Sequence, residues 1–146
     1  MKFQYNDGGR EKAGYKGLTG DCVTRAVAII TGLPYQQVYD AMNEGTSTQH
    51  KQKGYSARTG IRTNTRWFSE YMEKLGFRWV ATMQVGSGCT THLREGELPM
   101  GRLVARCSGH LVAVIDGVIH DIYDPSREGT RCVYGYWILP VIEKTS

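Results

Sequence analysis

The stretch HLVAVIDGVIHDIY, residues 110–123, has the pattern of two β-strands joined by a tight turn. Asp116-Gly117 lies between two apolar runs, and Asp-Gly in that position is a strong signal for a two-residue hairpin turn. The run after His110 is continuously apolar, which is typical of a central strand that is buried on both faces. His110 therefore stands at the entrance of a rigid strand, which can hold its ring toward a cleft.

The length of the turn decides which acid lies near His110. With a two-residue turn, His110 pairs with Tyr123, and Asp121 lies diagonally across on the same side of the sheet. With a three-residue turn, His110 faces Asp124 directly. Either carboxylate can hold the imidazole in one tautomer, as the third member of a catalytic triad must. Asp124 is followed by Pro125 and also fits the role of a turn initiator.

The rest of the chain adds helices before this hairpin and strands around it. Helices are predicted over 21–31, from Pro34 onward and over about 64–75. Further strands are predicted over 77–85, 102–107 and 131–139. We therefore predict one α+β domain over residues 1–146, with N-terminal helices packed on an antiparallel sheet. Its irregular parts are an N-terminal arm, residues 1–20, and a long polar loop, residues 43–64.

The segment GDCVTRAVAIITG, residues 20–32, places Cys22 in the first turn of a predicted helix. Free N–H groups and the helix dipole favour negative charge at this end, so Cys22 gains thiolate character that a cysteine in the middle of a helix lacks. The competing interpretation is a small buried apolar residue. Asp21 fits the helix N-cap, and Arg25, one turn on, can balance its charge.

Cys22 at a helix start, His110 opening a Val-rich strand and Asp124-Pro125 one hairpin later resemble the papain-like cysteine peptidase fold, especially its bacteriocin-processing branch. The stretches GDCVTRA and GHLVAVIDGVIHD also resemble small proteins that are common in phages and mobile elements. The peptidase resemblance implies Cys22 as nucleophile, His110 as base and Asp124 as orienting acid, with Asp121 as the alternative acid.

The resemblance also implies an oxyanion donor ahead of the cysteine, and the candidates are Gln4, Asn6 and the backbone N–H of Cys22 itself. The predicted function is that of a thiol-dependent peptidase, isopeptidase or acyl transferase, a hydrolase-type enzyme acting on a peptide or protein substrate. We expect no cofactor. The oligomeric state is not defined by the sequence.

A basic stretch suggests a different function. Residues 51–66 contain no acid and carry five cations: Lys51, Lys53, Arg58, Arg62 and Arg66. The alternative is therefore a catalytically inactive papain-like binding protein, for example a phage-encoded inhibitor of a host factor, which contacts its partner through the basic loop 43–66. Nucleic-acid binding through this loop is a weaker alternative, because the net charge of +4 is mild.

Composition narrows the class of protein. No run of 18 apolar residues occurs, so no membrane span is expected, and the polar N-terminus favours a cytoplasmic protein. The four cysteines are widely spaced and are expected to be free thiols. Cys89 and His92 are three residues apart, but no second close pair of ligands accompanies them, so no metal site is expected.

Overall fold

The computed structural model describes residues 1–16, 20–47, 63–84 and 86–140. Helices and a six-stranded sheet occur together in this part of the chain, which confirms the predicted α+β class. The helices are α1 (Cys22–Thr31), α2 (Tyr35–Ser47) and α3 (Arg66–Lys74). The strands are β1 (Lys2–Tyr5), β2 (Arg78–Ala81), β3 (Arg102–Cys107), β4 (His110–Ile115), β5 (Val118–Asp121) and β6 (Val133–Leu139).

The strands lie in the order β1-β5-β4-β3-β6-β2. The two strands of the predicted hairpin, β5 and β4, are therefore the second and third strands from the β1 edge. All neighbouring pairs are antiparallel except β1 and β5, which are parallel. The predicted N-terminal arm, residues 1–20, contains an edge strand that was not predicted, Lys2–Tyr5. The alternation of polar and aromatic residues in this segment fits a strand with a period of two.

The turn of the central hairpin has two residues. Ile115 pairs with Val118, and the backbone φ angles of Asp116 and Gly117 are 48° and 79°. Positive φ at both central positions is the geometry that makes a two-residue turn fit the twist of the flanking strands. This confirms the first of the two predicted registers, so Asp121 lies on the same side of the sheet as His110.

Two apolar clusters cover the two faces of the sheet. Leu111 and Ala113 of β4 pack in the cluster that contains the buried sides of the three helices. Val112 and Val114 pack in the other cluster, together with Leu93 from the connection before β3. Successive side chains of a strand point to opposite faces, so the helices lie on one face and the connection on the other. Within the described residues, none of the helices has the length and apolar character needed to cross a bilayer.

The connection before β3 is held by a covalent link. Cys89 and Cys132 form a disulfide with their Cα atoms 5.9 Å apart, so the expectation of four free thiols is wrong. An isolated bridge between His92 and Cys132 aligns the two chain segments and brings the sulfurs within reach. Cys22 and Cys107 remain free. Because its sulfur is in the disulfide, Cys89 is not a thiolate ligand for a metal. No cluster of three ionisable metal ligands occurs over the described ranges.

Candidate active site

Three chain segments meet at one end of the sheet: the start of α1, the start of β4 and the end of β5. His110 lies beside Cys22, close enough for each group to shift the pKa of the other, and Nε2 of His110 lies 2.7 Å from Oδ2 of Asp121. An imidazole has two ring nitrogens, so Nδ1 is the one left to face the sulfur. The structure thus brings together Cys22 and His110, which lie far apart in the sequence.

The acid beside the ring is Asp121 and not Asp124, the first choice from the sequence. Oδ1 of Asp124 instead accepts a hydrogen bond of 2.9 Å from the N–H of Ser126, which is a local turn contact. The two-residue hairpin turn explains the difference, because it puts Asp121 diagonally opposite His110. The carboxylate of Asp121 is also fixed by the N–H of Ile122, at 2.7 Å from Oδ1.

The environment of Cys22 favours the thiolate. Burial alone raises the pKa of a thiol, because it penalises the charged form. The hydrogen bond and positive charge of His110 act in the opposite direction, with smaller contributions from the Leu111 N–H and from Arg25. These contributions outweigh burial, and the pKa of Cys22 lies below the ordinary thiol value of 9.0.

His110 shows the complementary shift. The residue is only 7% exposed, and burial lowers the pKa of an imidazole. The hydrogen bond to Asp121 and the hydrogen bond and charge of Cys22 overcome this effect and raise the pKa of His110 to about 9. A lowered thiol pKa beside a raised imidazole pKa favours a thiolate–imidazolium pair near neutral pH. The ring of Tyr123 flanks the imidazole, with the ring centroids 5.5 Å apart.

A buried set of charges supports Asp121 from behind. The guanidinium of Arg25, on α1, donates to Oδ1 of Asp121 at 3.3 Å and also to Oδ1 of Asp21. The predicted balance between Asp21 and Arg25 is therefore confirmed, and the charge of Asp21 does not stand alone beside Cys22. Asp21 is the N-cap residue of α1, as predicted, but its carboxylate makes no capping hydrogen bond to the helix.

Asp21 has two further partners that sequence reasoning missed. The hydroxyl of Tyr35, at the start of α2, donates to Oδ2 of Asp21 at 2.6 Å, and Nε of Arg10 lies 3.3 Å from the same oxygen. Burial and the neighbouring carboxylate raise the pKa of Tyr35, which keeps its proton on the phenol. The only local signal was the spacing of four between Asp21 and Arg25, whereas Arg10 and Tyr35 are distant residues without a pattern.

The structure places the two side-chain oxyanion candidates away from the sulfur. Gln4 is exposed on β1, and its amide donates to the carbonyl of Tyr5 at 3.3 Å. Oδ1 of Asn6 accepts from the N–H of Gly8, and its amide nitrogen lies 3.3 Å from Nδ1 of His120. The third candidate, the N–H of Cys22, lies in the first turn of α1, where N–H groups have no carbonyl partner in the helix.

Four of the five cations that were predicted to bind a partner lie outside the part of the chain that the structure describes, namely Lys51, Lys53, Arg58 and Arg62. Arg66 is the first residue of α3, and its Nε pairs with the Glu70 carboxylate at 3.0 Å on the surface. The binding-protein alternative therefore stays a prediction.

We expect Asp121→Asn and Asp124→Asn to differ clearly in their effect on Cys22. The first substitution removes the charged partner of His110, which weakens the imidazolium and hence the thiolate. A charge-assisted hydrogen bond contributes about 1.5–3 kcal/mol, so alkylation of Cys22 by iodoacetamide at neutral pH should slow about tenfold or more. Asp124→Asn keeps an oxygen that accepts from Ser126 and should change the rate less than twofold. Equal alkylation rates of Cys22 in the two variants would show that Asp121 does not act on the Cys22–His110 pair.

Comparison with known proteins adds no assignment: no protein-family model, no curated protein and no solved structure matches this chain. The papain-like resemblance accordingly stays a prediction.

Proposed function

We propose that this protein is a thiol-dependent hydrolase or acyl transferase that acts on a peptide or isopeptide bond. Cys22 is the nucleophile, His110 is the general acid and base, and Asp121 orients His110. The observation that carries the proposal is the placement of His110 between the Cys22 thiol, whose pKa it lowers, and the Asp121 carboxylate, which lies 2.7 Å from its Nε2. A nucleophile, a base and an orienting third group within hydrogen-bond reach are the signature of covalent catalysis.

In the proposed reaction the thiolate of Cys22 attacks the substrate carbonyl, and a carbon–sulfur bond forms. The tetrahedral intermediate collapses when the C–N bond breaks, and the imidazolium of His110 gives its proton to the leaving amine. The remaining thioester is attacked by water, or by an acceptor amine in a transferase. Neutral His110 takes the proton of the attacking group, and loss of the acyl product restores the thiolate and the imidazolium.

The charge that develops on the carbonyl oxygen needs a donor. We infer that the backbone N–H of Cys22 supplies one, because it belongs to the first turn of α1, where the helix dipole also favours negative charge. Gln4 and Asn6 make other contacts, so neither is assigned this role. A single donor of this kind contributes roughly 3–4 kcal/mol to transition-state stabilisation.

The papain-like architecture is part of the proposal. It is supported by a cysteine at the N-terminus of a helix, α1, that packs on β4 of a mostly antiparallel sheet, while that same strand begins with the histidine. The carboxylate of Asp121 lies at the end of β5, the next strand of the sheet. The likeness lies in this arrangement of helix, strand and hairpin.

The test is acylation by p-nitrophenyl acetate, a small activated ester that needs no substrate-specific contacts. We expect a burst of p-nitrophenolate equal to one equivalent of protein, with the acetyl group located on Cys22 by peptide mass spectrometry. The matched control is Cys107→Ala, which removes the other free cysteine and should keep the burst, whereas Cys22→Ala should lose it. Acetylation that persists unchanged in folded Cys22→Ala would refute the proposal.

A further inference from the structure

A cavity of about 390 Å³ lies between the start of α3 and the strands β2, β3 and β6. Trp79 and Trp137 line it with their rings in contact, at a centroid distance of 5.2 Å. Trp79 lies over Gly135, and a Cβ at that glycine would meet the indole at 2.3 Å. The aromatic wall therefore depends on the absence of a side chain at position 135.

Arg106 of β3 also lines this cavity. Over the described residues, no carboxylate lies within 4.0 Å of its guanidinium. Glu73 is on the cavity wall but beyond that distance, and Arg66 on the rim is already paired with Glu70. A partly buried cation beside two indole rings has lost part of its hydration, so an anionic group entering the cavity would restore a partner to it.

The cavity and Cys22 share one face of the sheet. Arg106 pairs directly with Leu111 in the β3–β4 register, and the N–H of Leu111 is one of the groups that lower the pKa of Cys22. Directly paired residues point to the same face, and both Leu111 and Cys22 pack in the helix-side cluster. The backbone of Arg106 thus lies one strand spacing, about 5 Å, from that of Leu111, and its side chain lines the cavity on the β6 side.

We propose that this cavity binds an acidic side chain of a peptide substrate, two or three residues from the bond that Cys22 attacks. The spacing follows from an extended peptide, which advances about 3.3 Å per residue. Arg106 recognises the carboxylate, and the indoles of Trp79 and Trp137 pack against the methylene groups of a glutamate. This inference rests on the proposed function, which it extends to a class of substrate.

The test compares chloroacetylated peptides that are identical except for Glu or Gln at one position, scanned from the first to the fourth residue after the reactive carbon. The Cys22 thiolate displaces chloride, so the labelling rate reports binding beside the sulfur. We expect the Glu peptide to label roughly tenfold faster than its Gln partner at the second or third position. Arg106→Gln should reduce this ratio to about one.

Arg78→Gln is the matched control, because it removes the same charge from β2, the strand of Trp79, on the face opposite to that indole. It should keep the tenfold preference. A Glu-to-Gln ratio of one at all four positions, in protein whose Cys22 reacts rapidly with iodoacetamide, would overturn the acidic subsite and leave the proposed function standing.

A second measurement does not need a reactive thiol. In Cys22→Ala protein, a pool of capped peptides containing Glu should change the tryptophan fluorescence at a concentration roughly tenfold lower than the matched Gln pool. Arg106→Gln in the same background should abolish that difference. Suppose that iodoacetamide does not label Cys22 faster than the other cysteines, but the Glu and Gln pools still differ in the concentration they require. The proposed thiol chemistry is then refuted, and the proposal that the cavity binds an acidic side chain stands. If the difference is absent, the cavity proposal falls.

Discussion

His110→Gln is expected to slow the alkylation of Cys22 by iodoacetamide about 100-fold at neutral pH, at the lower end of what a positioned acid–base group contributes. The substitution leaves Cys22 as buried as before, and burial raises the pKa of a thiol. It removes the hydrogen bond and the positive charge that lower this pKa. The buried sulfur therefore becomes a protonated thiol, which is a poor nucleophile.

The matched control is His120→Gln on the neighbouring strand β5. His120 is the other histidine of the central hairpin and is half-buried, but its ring contacts Asn6 rather than Cys22. We expect its substitution to change the alkylation rate less than twofold. A His110→Gln protein that is folded and alkylated at the wild-type rate would show that the imidazole does not act on the sulfur.

Arg25→Met is expected to lower the free energy of unfolding by about 3–5 kcal/mol, the usual cost of removing one partner from a buried group of charges. Arg25 is 4% exposed and lies between two carboxylates, those of Asp21 and Asp121. Without the guanidinium, Asp121 loses one of its two charged partners and keeps His110, whereas Asp21 retains Arg10 and Tyr35. Urea denaturation followed by circular dichroism measures the loss.

The control for the expected loss of unfolding free energy is Arg66→Met, which breaks the exposed ion pair between Arg66 and Glu70. The side chain of Arg66 is 93% exposed, and surface pairs of this kind contribute about 1 kcal/mol or less. We expect its unfolding midpoint to remain close to that of the wild type. Similar losses from the two substitutions would mean that the Asp21–Arg25–Asp121 group does not stabilise the fold.

Local patterns were sufficient to predict the parts of the site that depend on neighbouring residues. Asp116-Gly117 predicted the hairpin, and the two-residue turn then determined that Asp121 accompanies His110. The amphipathic run after Cys22 predicted α1 and the place of the sulfur in its first turn. In each case the periodicity of a strand or helix decides which side chains share a face.

Contacts between distant segments could not be predicted in this way. Cys89 and Cys132 are separated by 43 positions, and the bridge that aligns them leaves no local signal. The preference for Asp124 failed because Asp-Pro-Ser has a local use, in which the carboxylate accepts from the chain two residues on. Arg106 has the pattern of an ordinary strand residue, and only the fold places it in a cavity beside Trp79.

The most direct test of the central claim is the pH dependence of Cys22 alkylation, measured at that residue by peptide mass spectrometry. Cys107 in the same molecule is the internal reference, because burial raises its pKa to about 11. A thiolate–imidazolium pair predicts that alkylation of Cys22 reaches half its maximal rate at a pH below 9.0, the ordinary thiol value, and that Cys107 titrates well above it. A midpoint for Cys22 at or above 9.0 would contradict the pair.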